Sequence, residues 1–579
     1  MFKRFGLILC LATGTVFLAV LPALAESVDT AWVRRYNGPG NDYDGGNAIT
    51  VDDSGNVYVA GCSDGSATGV DYLTIKYDGD GDIAPDNWPA RYNGPGNGAD
   101  EAVAIAVDDS GNVYVTGYSD GIGTSNDYAT IKYYPNGDTA WVRRHDGSDN
   151  YWDWANAIAV DDSGNVYVTG ESWYTETFPD YTTIKYHPDG DTAWVRRYNG
   201  PGNNLDGAGA IAIDDSNNVY VTGWSWGGFG GGTQHDYATV KYHPDGDTAW
   251  ARRYNGWAND WDVANAIAVD DSGNVYVTGS CDGTENGDFV PGDYATIKYD
   301  SSGSELWVKT YNGLGDSTDG AWGIAIDGSG NVYVTGESYG SGTDKDYATI
   351  KYYPNGDSAW LRRYNGPSDC IDVATAIAID SCGNTYVTGY SWNGADYDYA
   401  TIKYDSSGNE LWVERYNGPG NGDDKAYAIA VYGCDDVYVT GSSVGDGTGS
   451  DYATIKYDQY GNDVKDETGS REKPSQFSLS QNYPNPFNQS TKIEFTLAKS
   501  GFVSLNIYDI LGRKVRTLVS EHVSSGYKSV LWDGKNDSGK DVASGIYFYQ
   551  LRVGDFSLRQ ARGGEQGRTA ETKKLVLLK

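Results

Sequence analysis

One segment of this chain is repeated eight times, and the repeat restricts the fold more than any other feature of the sequence. The clearest copy spans residues 153–203 and reads DWANAIAVDDSGNVYVTG, a variable loop, and DYTTIKYHPDGDTAWVRRYNGPGN. Every copy opens with an aspartate, and these residues are Asp44, Asp100, Asp153, Asp206, Asp262, Asp319, Asp372 and Asp424. The period is therefore 52 to 57 residues, which is typical of solenoids and propellers.

Each copy predicts four short β-strands. In the third copy these are residues 157–160, 166–169, 181–186 and 193–198, and they are rich in β-branched and aromatic side chains. The turns between them read DDSGN and HPDG, whose residues bond their own backbone or accept a positive φ. Repeated four-stranded units are the blades of a β-propeller. The small residues of the first strand suit the innermost position in a blade, and the tryptophan of the fourth strand suits the outermost.

The two ends of the repeat region indicate how the ring closes. Residues 30–38 (TAWVRRYNG) form an extra fourth strand before the first copy, whereas the eighth copy stops after its third strand, at residues 452–457. Pairing these two segments would complete the eighth blade and remove the exposed edges of an open array. We therefore predict an all-β fold, with a closed eight-bladed propeller over residues 26–465.

Residues 1–25 resemble a secretory signal peptide. Lys3 and Arg4 are followed by a largely apolar stretch, and Ala23-Leu24-Ala25 supplies small residues for cleavage. No later apolar run has the length of a membrane span. The formal net charge is −37, and the acidic side chains are concentrated in the repeats. Such a surface repels nucleic acid and anionic membranes and attracts cations. We expect an exported protein that does not bind nucleic acid.

Five cysteines remain after the leader, and their odd, scattered arrangement is not a disulfide framework. Cys382 and Cys434 occupy the same turn position in adjacent copies, so either a disulfide between them or two free thiols is expected. No cysteine or histidine spacing indicates a zinc site.

The composition changes after the last repeat. Residues 466–475 are polar and lack periodicity, which predicts a linker. Residues 476–579 are basic and contain about seven short alternating stretches separated by Gly, Asp and Asn turns. This pattern predicts a small β-sandwich of immunoglobulin type.

Several motifs in the last hundred residues resemble a known family. They are residues 480–488 (SQNYPNPFN), 503–512 (VSLNIYDILG), 532–534 (WDG), 543–547 (ASGIY) and 573–579 (KKLVLLK). Together they resemble the C-terminal sorting domain of the type IX secretion system, which has an immunoglobulin-like fold similar to the flagellar hook-capping module. The resemblance implies transport through the periplasm and across the outer membrane of a Gram-negative bacterium, with residues 476–579 addressing the type IX secretion machinery.

The repeats also carry a resemblance of their own. The segments DDSGNVYVTG and DYATIKY, across residues 30–465, resemble the SBBP family of β-propeller repeats. This family is defined by its repeat and its fold, so the resemblance implies an architecture and leaves the activity open.

One face of the predicted propeller carries an unequal set of tryptophans. The connections from fourth to first strand and from second to third strand emerge on this face, and loops on a rigid scaffold commonly carry function. The candidate ligand-binding residues are Trp152, Trp154, Trp173, Trp224, Trp226, Trp257, Trp261, Trp322 and Trp392. They come from copies three to seven, as expected of a binding site on a symmetric scaffold. Glycan is the favoured ligand; a protein partner, or simple packing of the loops, is the alternative.

The eight opening aspartates are predicted to form a ring on the same face. If the carboxylates pointed inward they would repel one another and attract cations, and calcium is the hard ion that suits carboxylate oxygens outside the cell. The alternative is that each aspartate accepts hydrogen bonds from nearby loop N–H groups and fixes the entry to its strand. Its presence in every copy favours this structural role.

The sequence gives little support for catalysis. It contains no GxSxG or HExxH motif and no Ser/His/Asp or Cys/His set confined to one copy, so no catalytic residue is assigned. A polysaccharide hydrolase or lyase that uses carboxylates on the propeller face is the alternative function. Glu171 and Glu337, each directly after VTG, are the most distinctive acids. The leading hypothesis is a secreted or cell-surface binding or adhesion module, and a purely structural surface protein is a further alternative.

Overall fold

A computed structural model describes residues 27–577, apart from 149, 229–233, 257–260, 286–287, 316, 435, 461–476, 483–484, 486, 488–490, 498, 500, 524–525, 533, 538–539, 541 and 554–568. The predicted signal peptide, the predicted linker and Trp257 therefore lie outside the described residues. The domain boundaries that depend on them stay predictions.

The described residues form 39 β-strands. The first strand and the first four blades comprise β1 (Ser27–Tyr36), β2 (Asp44–Val51), β3 (Val57–Gly65), β4 (Gly69–Tyr77), β5 (Ala90–Tyr92), β6 (Asp100–Val107), β7 (Val113–Asp120), β8 (Asn126–Tyr133), β9 (Thr139–His145), β10 (Asp153–Val160), β11 (Val166–Tyr174), β12 (Phe178–Tyr186), β13 (Thr192–Tyr198), β14 (Asp206–Ile213), β15 (Val219–Trp226), β16 (His235–Tyr242) and β17 (Thr248–Tyr254). The remaining blades comprise β18 (Asp262–Val269), β19 (Val275–Glu285), β20 (Asp288–Tyr299), β21 (Glu305–Tyr311), β22 (Gly320–Ile326), β23 (Val332–Tyr339), β24 (Lys345–Tyr352), β25 (Ser358–Tyr364), β26 (Asp372–Ile379), β27 (Thr385–Trp392), β28 (Tyr397–Tyr404), β29 (Glu410–Tyr416), β30 (Asp424–Tyr432), β31 (Asp436–Val444) and β32 (Ser450–Tyr460). The C-terminal region comprises β33 (Ser478–Leu479), β34 (Thr491–Leu497), β35 (Gly501–Asp509), β36 (Lys514–Val523), β37 (Gly526–Trp532), β38 (Gly545–Val553) and β39 (Thr569–Leu577).

The repeats fold into eight antiparallel, four-stranded sheets, which confirms the predicted propeller. In seven blades the four strands pair in chain order, from the innermost to the outermost. The innermost strands contact one another around the ring, from β2 and β6 through to β26 and β30, and β30 contacts β2 again. Within the described part of the chain, no helix is both long enough and apolar enough to cross a membrane.

The eighth blade is completed by the first strand of the chain. Strand β1 pairs antiparallel with β32, and the residues opposite one another run from Ser27↔Tyr460 to Tyr36↔Tyr452. The Trp32 side chain is buried between Tyr438 of the eighth blade and Tyr77 of the first, with ring centroids 6.0 and 5.7 Å apart. The predicted closure is therefore confirmed, and the first blade packs against a sheet built from both ends of the repeat region.

The tryptophan of each fourth strand joins its blade to the next. Trp141 is buried, and its Nε1 donates to the Pro188 carbonyl oxygen of the following blade at 3.1 Å. Trp194 makes the same contact with the Pro244 carbonyl oxygen, also at 3.1 Å. Most third-strand lysines also reach the next blade; Lys132 Nζ, for example, donates to the Pro188 carbonyl oxygen at 3.1 Å. Lys456 instead forms ion pairs with Asp436 and Asp458, with N–O distances of 3.1 and 3.4 Å. These contacts provide partners for charged donors buried between the blades.

A disulfide links the turns of the last two blades. Cys382 and Cys434 are bonded, with their Cα atoms 5.7 Å apart. Of the two alternatives left by the sequence, the structure therefore contains the disulfide. Cys62, Cys281 and Cys370 are not part of a disulfide bond.

The C-terminal region forms two sheets that pack face to face. One contains β33, β34 and β37, and the other contains β36, β35, β38 and β39. Trp532 is fully buried between them, with Phe487 and Tyr547 at ring-centroid distances of 5.5 and 5.3 Å. This arrangement agrees with the predicted immunoglobulin-type sandwich.

We predict that truncating a fourth-strand tryptophan destabilises the propeller far more than truncating its neighbour. Trp194 is 7% exposed and Val195 is 39% exposed on the same strand. Trp194→Ala should lower the free energy of unfolding by about 3–5 kcal/mol, because it leaves a cavity between two blades. Val195→Ala should change it by no more than about 1 kcal/mol. Urea unfolding measures both, and equal losses would contradict the interblade role of the indole.

Candidate functional site

The predicted tryptophans lie at one end of the blades, but mostly on strands and not on loops. Trp154 and Trp322 belong to innermost strands, and Trp173, Trp224, Trp226 and Trp392 belong to second strands. The first two strands of a blade continue to pair beyond the VTG segment, across a β-bulge such as the one between Ala155 and Ala157. Six of the predicted tryptophans therefore lie on strands that extend into this end of the blades, and their positions are correspondingly more rigid than those on loops.

The opening aspartate of each blade ties two connections together. In all eight copies the buried carboxylate accepts a hydrogen bond from the backbone N–H of the glycine six residues earlier, at 2.5–2.7 Å. The other oxygen commonly accepts from a backbone N–H twenty residues later, for example Trp226 N to Asp206 Oδ1 at 3.0 Å. We call this arrangement the aspartate clasp, because it joins the fourth-to-first and second-to-third connections.

The aspartate clasp matches the structural role predicted as the alternative to calcium binding, in which each opening aspartate accepts hydrogen bonds from nearby N–H groups. Burial raises the pKa of Asp44, Asp100, Asp206, Asp319, Asp372 and Asp424, and it raises the pKa of Asp153 to about 6. Hydrogen bonds from the glycine N–H groups oppose this shift because they favour the charged form. Binding of calcium by the ring as a whole stays an untested prediction.

Three of the predicted tryptophans meet in blade 3, together with two further aromatic residues. Trp152 stacks on Trp154 with ring centroids 5.2 Å apart and an interplanar angle of 26°, and it contacts Trp173 at 5.0 Å. Trp173 also contacts Tyr151 at 5.4 Å and Phe178 at 5.6 Å. We call these five residues the blade-3 aromatic cluster. Tyr151, Trp152 and Phe178 are 52%, 39% and 46% exposed, so the cluster presents a continuous apolar surface to solvent.

A second group surrounds a histidine in blade 4. The buried His235 ring lies 4.7 Å from Trp224, 5.1 Å from Trp226 and 4.1 Å from Trp261. Burial lowers the pKa of His235 to about 4, so the imidazole is neutral at physiological pH. Trp261 is 52% exposed, and its Nε1 donates to the Gln234 side-chain oxygen at 3.0 Å.

The remaining tryptophans do not join these groups. Trp392 contacts Tyr397 at 5.0 Å, and the Lys425 ammonium lies 4.7 Å from the centre of the same tyrosine ring. Trp322 occupies the β-bulge of β22 and is 46% exposed at the inner wall of the ring. The described tryptophans of the predicted set therefore fall into three separate groups, and Trp322 stands alone. The group in blade 3 is the largest of the exposed ones.

The sequence-based search missed the non-tryptophan members of these groups. Tyr151 lies in the connection just before Asp153, Phe178 lies in the variable segment of blade 3, and His235 stands directly before the DYATVKY segment of blade 4. A search for any aromatic or histidine that departs from the repeat would have found all three. The search for tryptophan alone could not.

Two glutamates predicted as distinctive acids have different surroundings. Glu171 lies opposite Trp154 in the paired strands, and burial raises its pKa to about 7. Glu337 forms an ion pair with Lys345, with Oε1 and Nζ 2.6 Å apart. A third acid, Glu101, accepts hydrogen bonds from Tyr118 Oη at 2.5 Å and from Asn47 Nδ2 at 2.9 Å.

Comparisons with known families agree with this architecture. Residues 31–66, 90–123, 141–174, 193–230, 250–285 and 359–398 match the SBBP beta-propeller repeat. Residues 481–554 match the FlgD Ig-like domain. The chain therefore contains SBBP repeats followed by a FlgD Ig-like domain.

Individual proteins are only distantly similar. An uncharacterized WD repeat-containing protein of Acanthamoeba polyphaga mimivirus is 25% identical over 396 residues, covering 58% of this chain and 24% of the relative. The regulatory protein FlaEY of Caulobacter vibrioides is 31% identical over 184 residues, covering 28% of this chain and 18% of the relative. The chain thus spans a quarter or less of either relative's length.

The chain also aligns with solved structures at low sequence identity. PorZ, an essential bacterial surface component of the type IX secretion system of Porphyromonas gingivalis, aligns over 90% of this chain and 64% of its own, with 14% identity and a TM-score of 0.37. Sqt1 from Chaetomium thermophilum aligns over 76% of this chain and 100% of its own, with 10% identity and a TM-score of 0.45. The polysaccharide lyase Uly1 aligns over 75% of this chain and 100% of its own, with 9% identity and a TM-score of 0.39.

We predict that the aspartate clasp needs both carboxylate oxygens. Asp206→Asn should lower the free energy of unfolding by about 1–3 kcal/mol, because an amide NH2 group would face the N–H of Gly200 or Trp226 and leave it without an acceptor. Asp215→Asn is the control, since Asp215 is exposed in the next turn. Chemical denaturation compares the two, and equal stability would refute the clasp.

We predict that Glu171 makes the stability of the fold depend on pH. The folded-state pKa of Glu171, about 7, exceeds its ordinary value. Below about pH 4.5 the side chain is neutral in both the folded and the unfolded state, so it lowers the free energy of unfolding little. It destabilises the fold as pH rises toward 7 and beyond. Glu171→Gln should therefore stabilise the protein by about 2 kcal/mol at pH 8 and have little effect at pH 4.5. Thermal unfolding at both pH values tests this, with the exposed Glu176→Gln as control; a pH-independent effect would argue against a neutral, half-buried Glu171.

Proposed function

We propose that this protein is a secreted or cell-surface binding module that recognises carbohydrate through its blade-3 aromatic cluster. The observation that supports this most strongly is the exposed surface formed by Tyr151, Trp152 and Phe178 over Trp154 and Trp173. Contiguous exposed aromatic surface on a folded domain is characteristic of an interaction site. The apolar face of a sugar ring stacks on an indole, while its hydroxyls bond to neighbouring polar groups.

The rigidity of the scaffold favours affinity for a ring-shaped ligand. Trp154 and Trp173 lie on paired strands, and the Trp173 N–H is held by Asp153 Oδ1 at 3.0 Å. Side chains that are already ordered lose little entropy when a ligand binds, so more of the stacking energy appears as affinity. The acidic composition of the chain favours neutral or cationic ligands over strongly anionic ones.

Export is proposed to depend on residues 476–579. The match to the FlgD Ig-like domain over 481–554 and the sandwich formed by β33 to β39 support an immunoglobulin-like sorting domain. With the leader at residues 1–25, the chain would enter the periplasm of a Gram-negative bacterium and engage the type IX secretion machinery. The propeller would then reach the cell surface or the medium.

A polysaccharide hydrolase or lyase is the second candidate. The half-buried Glu171, with a pKa of about 7, has the protonation behaviour of a general acid, and it lies opposite Trp154 of the aromatic cluster. A bound polysaccharide that is cleaved by the wild type and left intact by Glu171→Gln would move the conclusion to catalysis.

A glycan array probed with the mature full-length chain tests the binding proposal. Against the best glycan on the array, Trp152→Ala should weaken affinity at least tenfold, about 1.4 kcal/mol, because it removes the exposed indole of the stack. Tyr134→Ala is the control, since this half-exposed tyrosine lies in a turn between third and fourth strands, at the other end of the blades. Absence of any bound glycan, or equal loss in both variants, would overturn the proposal and favour a protein-contact or structural role.

A further inference from the structure

The junction between blades 2 and 3 departs from the other seven in two adjacent residues. The fourth strand elsewhere runs into Tyr-Asn-Gly, whereas here it runs into His145-Asp146-Gly147. The asparagine stabilises its own loop in several copies; Asn93 Nδ2, for instance, donates to Asn97 Oδ1 at 2.8 Å. A carboxylate cannot donate this bond, so Asp146 changes both the loop and its charge.

Asp146 completes a group of three carboxylates. Asp127, Asp146 and Asp153 each offer an oxygen, and the three oxygens lie within 4.8 Å of one another. Asp127 and Asp153 are buried, and Asp146 is exposed, which gives the group an opening to solvent. Across the described residues, no other three histidine, cysteine or acidic side chains come together at this spacing.

A separate observation indicates that the group has room for a ligand. Asp127 is only 4% exposed, and its Oδ1 has no hydrogen-bond partner. Its Oδ2 already accepts from Arg144 at 2.7 Å and from Thr124 at 3.2 Å, so Oδ1 is the oxygen left for another atom. His145 Nε2, beside the same group, is also buried without a partner. A buried carboxylate oxygen without a hydrogen bond is costly unless a ligand occupies it.

The same unpartnered oxygen occurs at counterparts of Asp127 in four other blades, namely Asp71, Asp180, Asp346 and Asp451. There the facing loop carries a neutral asparagine, so the third carboxylate is missing. What distinguishes the junction of blades 2 and 3 is Asp146, and the charge that it adds.

The charges of the group are not balanced by the protein. Among the described residues, these three carboxylates form one ion pair with a basic side chain, between Asp127 and Arg144. Repulsion among the carboxylates is relieved by a bound cation.

We propose that Asp127, Asp146 and Asp153 bind a calcium ion at the junction of blades 2 and 3. Calcium takes carboxylate oxygens at about 2.3–2.6 Å, so oxygens that share one ion lie at most about 5 Å apart. Asp153 Oδ1 already accepts hydrogen bonds from Ser172 and Trp173, whereas Oδ2 accepts from Gly147 alone and keeps a lone pair for the ion. Water completes the coordination on the side of the exposed Asp146.

The ion would stabilise the strands that carry the blade-3 aromatic cluster. Asp153 accepts hydrogen bonds from the Trp173 N–H and from the Ser172 hydroxyl, and it directly precedes Trp154. Calcium on Asp153 therefore holds the base of both strands that carry the cluster. The site itself does not depend on the proposed glycan function, because its ligands are all protein carboxylates.

Calcium titration of the full mature chain without glycan tests the proposal. Calorimetry should show one ion per chain with a Kd of about 10⁻⁴–10⁻³ M, and terbium bound in its place should luminesce when the nearby indoles are excited. Asp146→Asn restores the residue of the other seven copies and so preserves the fold, which circular dichroism verifies. It should weaken binding at least tenfold and abolish the rise in melting temperature that calcium gives the wild type.

Asp162→Asn is the control, because this exposed aspartate lies in the DDSGN turn of blade 3, away from the group. It should bind calcium as the wild type does. Saturation of wild type and Asp146→Asn at the same calcium concentration would overturn the proposal, and so would the absence of calcium binding by the wild type up to about 10 mM. Since no glycan is present, neither result bears on carbohydrate recognition.

Discussion

The pairing of β1 with β32 is the constraint on which the rest of the propeller depends. Most fourth-strand tryptophans donate a hydrogen bond to a turn of the next blade, as Trp141 and Trp194 do, so the packing of a blade depends on its neighbours. The start of the chain completes the eighth blade and places Trp32 against Tyr77 of the first. A closed propeller leaves only the short edges of its blades unpaired, and it holds all eight sets of connections at fixed positions around one axis.

Most of this architecture could be predicted because its signals lie in short sequence segments of each copy. Turn residues, β-branched runs and the spare strand at one end all stand in the linear sequence. The β-bulge near Ala155 does not, and it lets the first two strands continue past VTG and carry Trp154 and Trp173. Contacts between side chains of different connections depend on the tertiary structure. The contacts of Trp173 with Tyr151 and Phe178 in the blade-3 aromatic cluster could therefore not be predicted from sequence spacing alone.

In this chain, residues that recur in every copy have structural roles, and residues that differ between copies are the candidates for function. The aspartate clasp recurs in every blade and is occupied by backbone hydrogen bonds, as a structural element would be. Departures from the repeat concentrate around blade 3, where Trp152 and Asp146 stand in the same connection. A symmetric scaffold gains a distinct site when a few copies diverge, and the proposed carbohydrate surface and the proposed cation site both arise at such a divergence.

Hydrogen–deuterium exchange of the first strand tests the closed ring most directly. If β1 completes the eighth blade, the amides of Ser27–Tyr36 that face β32 should be protected as strongly as the corresponding amides of Thr192–Tyr198 in blade 3. Exchange of the first strand as fast as that of exposed loops, with blade 3 still protected, would show that the two ends are not paired and would contradict the closed propeller.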